Sequence, residues 1–73
     1  MVGHRQNNLT ERQIEILRCI GQGCNIDQAA RSIGISPGNT RIQLGYIRDK
    51  LLAPDSTTPQ QLVQLARDAG YDL

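Results

Sequence analysis

Apolar residues recur at helical spacing in four segments of the chain. In the first segment, Ile14, Ile16, Leu17 and Ile20 form a broad apolar face, wide enough to contact two other helices. No segment alternates apolar and polar residues as a half-buried strand does. The pattern predicts an all-α fold with helices near 10–22, 26–33, 37–52 and 59–69.

Residues that favour helix starts precede each of these segments. Thr10, Asn25 and Thr58 are each followed three residues later by glutamine, which is the pattern of a capping box. Ser36 precedes Pro37, and proline is favoured at the first position of a helix. The local signals therefore support the same four helices as the apolar spacing.

The chain before the first helix has no apolar periodicity. We therefore expect a flexible N-terminal arm at 1–8 and one domain at 9–73. The arm contains His4 and Arg5, which could contact DNA, although terminal disorder is the simpler interpretation.

The second and third helices have the spacing of a helix-turn-helix. Gly34 permits the left-handed backbone that commonly ends a helix, and Ser36 begins the next one. In the third helix, Thr40, Leu44 and Ile47 lie on one stripe that faces the core. A motif of this kind usually places its second helix in the major groove of DNA.

The opposite side of the third helix is the candidate DNA-binding surface. Ile42 points outward, and Arg41 lies on one flank, where it could contact a base, hold a phosphate or remain solvated. Gly45 costs about 1 kcal/mol of helix stability relative to alanine, which indicates close approach of a partner. The predicted DNA-binding residues are Ser36, Pro37, Asn39, Arg41, Ile42, Gly45, Arg48 and Lys50.

Leu9 to Leu17, L-T-E-R-Q-I-E-I-L, resembles the L-T-x-R-E-x-E-V-L signature of LuxR-type (GerE-like) DNA-binding domains. A-A-R-S-I-G-I-S-P at 29–37 and K-L at 50–51 continue the pattern in register. The resemblance implies a four-helix LuxR/GerE-type helix-turn-helix domain that acts as a transcriptional regulator. It implies double-stranded DNA as the partner, a homodimer, and RNA polymerase or another regulator as a further candidate partner.

The chain departs from that family within the third helix. Gln43, Gly45 and Tyr46 stand where the family usually has a histidine, a basic residue, and an asparagine or histidine. The net charge is only +1, divided into +3 over 1–53 (seven basic, four acidic residues) and −2 over 54–73 (one basic, three acidic residues). The alternative function is therefore a protein-interaction module, for example an anti-activator, that keeps the fold without reading DNA.

The fourth helix has an apolar stripe and an adjoining edge of small residues. The stripe predicted to face the core contains Leu62, Leu65, Ala66 and Ala69. The edge contains Val63, Ala66 and Gly70, and it either packs on the domain or forms a helix-to-helix dimer contact, as the corresponding helix does in LuxR-type domains. These three residues are the predicted dimerisation site.

Other functions lack the residues that they need. Cys19 and Cys24 are not spaced as C-x-x-C, so we expect reduced thiols in a cytoplasmic protein, with a redox switch as the less favoured alternative. The only histidine is His4, so we expect no metal site, no cofactor and no enzyme activity. No apolar run reaches the roughly 18 residues of a membrane helix, so we expect no membrane partner.

Overall fold

A computed structural model describes residues 8–73, and this part of the chain contains four α-helices and no strand. The helices are α1 (Glu11–Gly21), α2 (Ile26–Ile33), α3 (Pro37–Lys50) and α4 (Pro59–Asp68). The predicted all-α class is confirmed, and every predicted helix end lies within two residues of the observed end. The arm predicted at 1–8 lies outside the described residues except for Asn8.

All four helices begin with a side chain that accepts a hydrogen bond from the backbone three residues later. The capping residues are Thr10, Asn25, Ser36 and Thr58. In α1, α2 and α4, the glutamine at the third position also accepts a bond from the N–H of the capping residue, which completes a capping box. The predicted starts are therefore confirmed at the level of individual hydrogen bonds.

The core is aliphatic, and α1 packs against each of the other three helices. Its broad apolar face supplies Ile16, Leu17 and Ile20, all buried. The buried apolar residues that join them in one cluster are Leu9, Ala29, Leu44, Ile47, Leu62, Val63 and Ala66. No helix in residues 8–73 has the length and apolar character that crossing a bilayer requires.

The buried face of α4 differs from the prediction. Leu62 and Ala66 are buried as predicted, but Val63 completes the face, while Leu65 and Ala69 are exposed. The predicted core positions of Leu65 and Ala69 are therefore wrong. The reason lies in the neighbouring helix, because a Cβ on Gly21 would lie only 3.2 Å from Val63 Cγ1, so α1 closes directly over Val63.

All four helices end with the same backbone pattern, but α3 uses an unusual residue for it. At the end of each helix, the N–H of one residue donates to the carbonyl oxygen five residues earlier, over 2.9–3.0 Å. The left-handed residue in this pattern is Gly23 in α1, Gly34 in α2 and Gly70 in α4, but it is Leu52 in α3, with φ of 57°. Leu52 is 86% exposed, so burial of its side chain does not offset the backbone strain.

Leu52→Gly is expected to raise the free energy of unfolding by about 0.5–1 kcal/mol. Glycine removes a left-handed penalty of about 1–2 kcal/mol, part of which is offset by the greater freedom of glycine in the unfolded chain. Urea unfolding followed by circular dichroism measures the change. Leu52→Ala is the matched control, because it removes the side chain but keeps the strain. An unchanged midpoint for Leu52→Gly would contradict the strain at this position.

Candidate nucleic-acid interface

Buried side chains fix which side of α3 faces the solvent. Thr40, Leu44 and Ile47 are buried against the domain, as the sequence predicts. The hydroxyl of Thr40 donates to the carbonyl oxygen of Ser36 at 3.0 Å, so this buried polar group is satisfied within its own helix. The rotation of α3 about its axis is therefore set by the core.

The exposed side of α3 carries both apolar and polar groups. Ile42 is 57% exposed and Tyr46 is 53% exposed, one helical turn apart. Ser36, Pro37 and Asn39, which are predicted DNA-binding residues, are exposed at the N-terminal end of the same helix. The side chain of Ser36 accepts a bond from Asn39 N at 3.0 Å, so its role as a cap is established by geometry.

The two glycines of α3 are not required by packing within the domain. A Cβ added to Gly38 meets no atom within 4 Å. A Cβ added to Gly45 meets only Arg48 Nη2, at 3.8 Å, which is an ordinary contact. Both glycines have ordinary helical backbone rather than positive φ. The backbone of α3 is therefore left uncovered at two points where alanine would fit.

Among the three basic residues predicted to contact DNA, Arg41 is the one whose side chain is available for a partner. It is exposed, and within residues 8–73 no hydrogen bond or ion pair holds it. It lines an open depression together with the first turns of α2 and α4, at Asn25, Asp27, Pro59 and Gln60. The side chain therefore lies on the side of α3 that faces the first turns of α2 and α4.

Arg48 and Lys50, two further predicted contacts, are held by other parts of the chain. Arg48 Nε lies 3.6 Å from Asp55 Oδ1, which is an ion pair too long for a hydrogen bond, and this nitrogen is buried without another partner. Lys50 Nζ donates to the carbonyl oxygen of Asn8 and to Gln13 Oε1, each at 3.0 Å. Arg48 Nε and two of the three N–H groups of Lys50 are therefore already engaged, and only the remaining N–H groups of these side chains could contact a phosphate without breaking an internal contact.

A buried glutamine links α1 to α3, and the sequence interpretation missed it. Gln13 is 3% exposed, and its Oε1 accepts from Thr10 N and from Lys50 Nζ, each at 3.0 Å. Its Nε2 donates to Gln43 Oε1 at 3.0 Å. Gln43, at the position where the resemblance implies a histidine, therefore joins α3 to α1. The helical spacing of Gln13 with Ile16 was the available signal.

The burial of α4 corrects the predicted dimerisation site. Val63 is 3% exposed and Ala66 is fully buried in the single chain, so neither side chain is available to a partner. Val63 and Ala66 were predicted either to pack on the domain or to form a dimer contact, and in the structure they pack on the domain. Gly70 is exposed, but it serves the left-handed end of α4, with φ of 102°. The exposed apolar residue on α4 is instead Leu65.

No protein-family model, curated protein or solved structure matches the chain. The resemblance to LuxR-type domains thus rests on the motifs in the sequence alone. Within residues 8–73, no three histidine, cysteine, aspartate or glutamate side chains are grouped as a metal site would require. The basic and acidic residues of this part balance at seven each, because the eighth basic residue, Arg5, precedes it.

Proposed function

We propose that the chain is a LuxR-type (GerE-like) helix-turn-helix regulator that binds double-stranded DNA through the exposed side of α3. The observation that carries the proposal is the combination of an unpaired Arg41 with two glycines, Gly38 and Gly45, that internal packing does not require. An uncovered helix backbone lets a nucleic acid approach closely, and an arginine beside it can bond a phosphate or a guanine edge.

The N-terminal half of α3 is the part that would enter the major groove. Ser36, Asn39 and Arg41 are exposed there, and backbone N–H groups at a helix N-terminus attract phosphate. The C-terminal half carries the exposed Asp49, which phosphates repel, and the internally bonded Lys50. The charges of α3 and the exposure of its side chains both favour insertion of its first two turns into the major groove.

Arg41→Ala is expected to weaken DNA binding without changing the fold. Loss of a phosphate contact lowers the affinity for all sequences alike and reduces the salt slope by about one unit. Loss of a bidentate guanine contact instead relaxes preference at one position of each half-site, by about 1–3 kcal/mol. Fluorescence anisotropy with genomic fragments at several salt concentrations distinguishes these outcomes.

Arg67→Ala is the matched control for that experiment, because Arg67 is an exposed arginine on α4 and not on α3. If the parent and Arg41→Ala bind DNA with equal affinity and selectivity, Arg41 is not part of the interface.

Gly45→Ala is expected to stabilise the domain and to weaken DNA binding. Alanine adds about 0.8–1 kcal/mol of helix stability, and the added methyl meets only the end of Arg48. The same methyl would block close approach to the backbone of α3. Thermal unfolding and anisotropy measured on one preparation separate the two effects. A stabilised variant with full DNA affinity would show that the partner does not approach α3 at Gly45.

A second candidate function is a protein-interaction module, and the exposed pair Ile42 and Tyr46 favours it. An isoleucine and a tyrosine exposed side by side are typical of a protein contact, and the balanced charge of residues 8–73 provides little attraction for DNA. No binding to any genomic fragment at low salt, where phosphate contacts are strongest, would decide in favour of this candidate.

A further inference from the structure

Cys19 and Cys24 occupy the two ends of the backbone pattern that terminates α1. The N–H of Cys24 donates to the carbonyl oxygen of Cys19 at 3.0 Å, and Gly23 between them is left-handed, with φ of 105°. In this arrangement the side chains at the two positions frequently contact each other. Both thiols are free, half-buried and packed against the same core cluster.

The hydrogen bond also limits the distance between the two cysteines. If the covalent bonds and the hydrogen bond between the two Cα atoms all lay on one straight line, the Cα atoms would be at most about 7 Å apart. The bond angles at the carbonyl carbon and the amide nitrogen shorten this distance into the range of about 4.4–6.8 Å that disulfides span. The sequence spacing of five does not reveal this proximity, because it depends on the left-handed turn at Gly23.

We propose that Cys19 and Cys24 are a modification site that closes to an intramolecular disulfide in the presence of a small-molecule disulfide such as oxidised glutathione. One cysteine thiolate attacks the glutathione disulfide, which forms a mixed disulfide and releases one glutathione thiolate. The other cysteine thiolate attacks the protein sulfur of that mixed disulfide and displaces the second glutathione. The protein loses two electrons and two protons, and one glutathione disulfide becomes two glutathione thiols.

The folded backbone favours this reaction over attachment of glutathione. The turn from Cys19 to Cys24 already has its closed shape while both thiols are reduced, so the second step requires little rearrangement. In the unfolded chain, the same two thiols meet only when the intervening residues happen to bend. The bond would lie beside the proposed DNA contact, because Cys24 and Arg41 line the same depression, but its formation does not depend on DNA binding.

The test compares disulfide formation in the folded and unfolded chain. The protein at micromolar concentration is equilibrated with glutathione buffers of known ratio, in native buffer and in urea, then alkylated and digested with trypsin. Trypsin cleaves after Arg18 and Arg31 with no basic residue between them, so one peptide, 19–31, contains both cysteines. A disulfide gives that peptide without alkyl groups and lighter by two hydrogen atoms.

We expect an equilibrium constant for the disulfide at least about tenfold higher in native buffer than in urea, which corresponds to about 30 mV. Cys19→Ser and Cys24→Ser are the controls, and each should give only a glutathione adduct. Equal constants in the two conditions would overturn the proposal. Predominance of glutathione adducts or of intermolecular disulfides in the folded parent would overturn it as well.

Discussion

Val63→Glu is expected to unfold the domain at 25 °C. Val63 is 3% exposed and lies where α4 meets the end of α1, with its Cγ1 only 3.2 Å from the position of a Cβ on Gly21. A carboxylate there loses most of its hydration. Arg67 Nη2, which lies 3.2 Å from the same position on Gly21, offsets only part of that loss, and a larger side chain does not fit the close contact with α1. Together these effects cost about 4 kcal/mol or more, which is a large part of the stability of a domain this small.

Leu65→Glu is the matched control for Val63→Glu. It places the same charge two residues further along α4, on a residue that is 37% exposed, and it is expected to leave helix content and the urea midpoint close to those of the parent. Circular dichroism with urea unfolding measures both variants. A folded Val63→Glu with the parent's midpoint would show that α4 packs with a different face from the one described.

The same pair of variants bears on the proposed dimer. Because Val63 is buried, loss of DNA binding in Val63→Glu would report unfolding and not the loss of a subunit contact. Leu65 lies on the exposed side of α4, so Leu65→Glu is the variant that leaves the monomer intact while changing the surface available to a second copy. If α4 mediates dimerisation, Leu65→Glu should weaken binding to a two-part site and leave binding to a single half-site unchanged.

The helix ends could be predicted because their causes are local. Asn25 and Gln28 cap α2 through hydrogen bonds between residues only three apart, and Gly34 supplies the left-handed residue at its other end. The ends of α3 show both the strength and the limit of this reasoning. Ser36 and Pro37 mark its start, but the helix ends at Lys50, two residues before the predicted end. Leu52, the predicted last residue, is left-handed instead, a backbone that local preference does not favour for leucine.

The rotation of α4 could not be predicted from its own sequence. Leu62 and Ala66 belong equally to a stripe with Leu65 and to a stripe with Val63, so helical spacing leaves two orientations of α4 about 50° apart. The choice depends on the close approach of α1 at Gly21, which is remote in sequence. The rotation of α3 was predictable because Thr40, Leu44 and Ile47 leave only one apolar stripe.

The sequence predicts which side of α3 carries the candidate interface, but it does not predict which side chains there are free to contact a partner. Ile42 and Arg41 are exposed on the predicted side of α3. The partners of Arg48 and Lys50 are Asp55, Asn8 and Gln13, which lie on other segments and become neighbours only through the tertiary fold. Sequence reasoning therefore identified which side of α3 is exposed, and only the structure shows which of its charges are already bonded.

Gln13→Ala is expected to cost about 2–4 kcal/mol of unfolding free energy, far more than the loss of a capping glutamine alone. Gln13 closes the capping box of α1, and it also accepts from Lys50 and donates to Gln43 while almost fully buried. Alanine removes all of these bonds at once and leaves a cavity, so the N–H of Thr10 and the ammonium of Lys50 each lose a partner. The capping box by itself contributes about 0.5–1 kcal/mol.

Gln28→Ala and Gln61→Ala are matched controls, because both glutamines close capping boxes at the same helix position but are exposed and bond only to Asn25 and Thr58, respectively. Each is expected to cost only the capping contribution. Gln13→Glu is expected to recover most of the lost stability, since a carboxylate still accepts from Thr10 and Lys50, and the amide of Gln43 can rotate to donate to it. Urea unfolding of the four variants would contradict this account if Gln13→Ala cost no more than Gln28→Ala, because the bonds between α1 and α3 would then contribute nothing beyond the local cap.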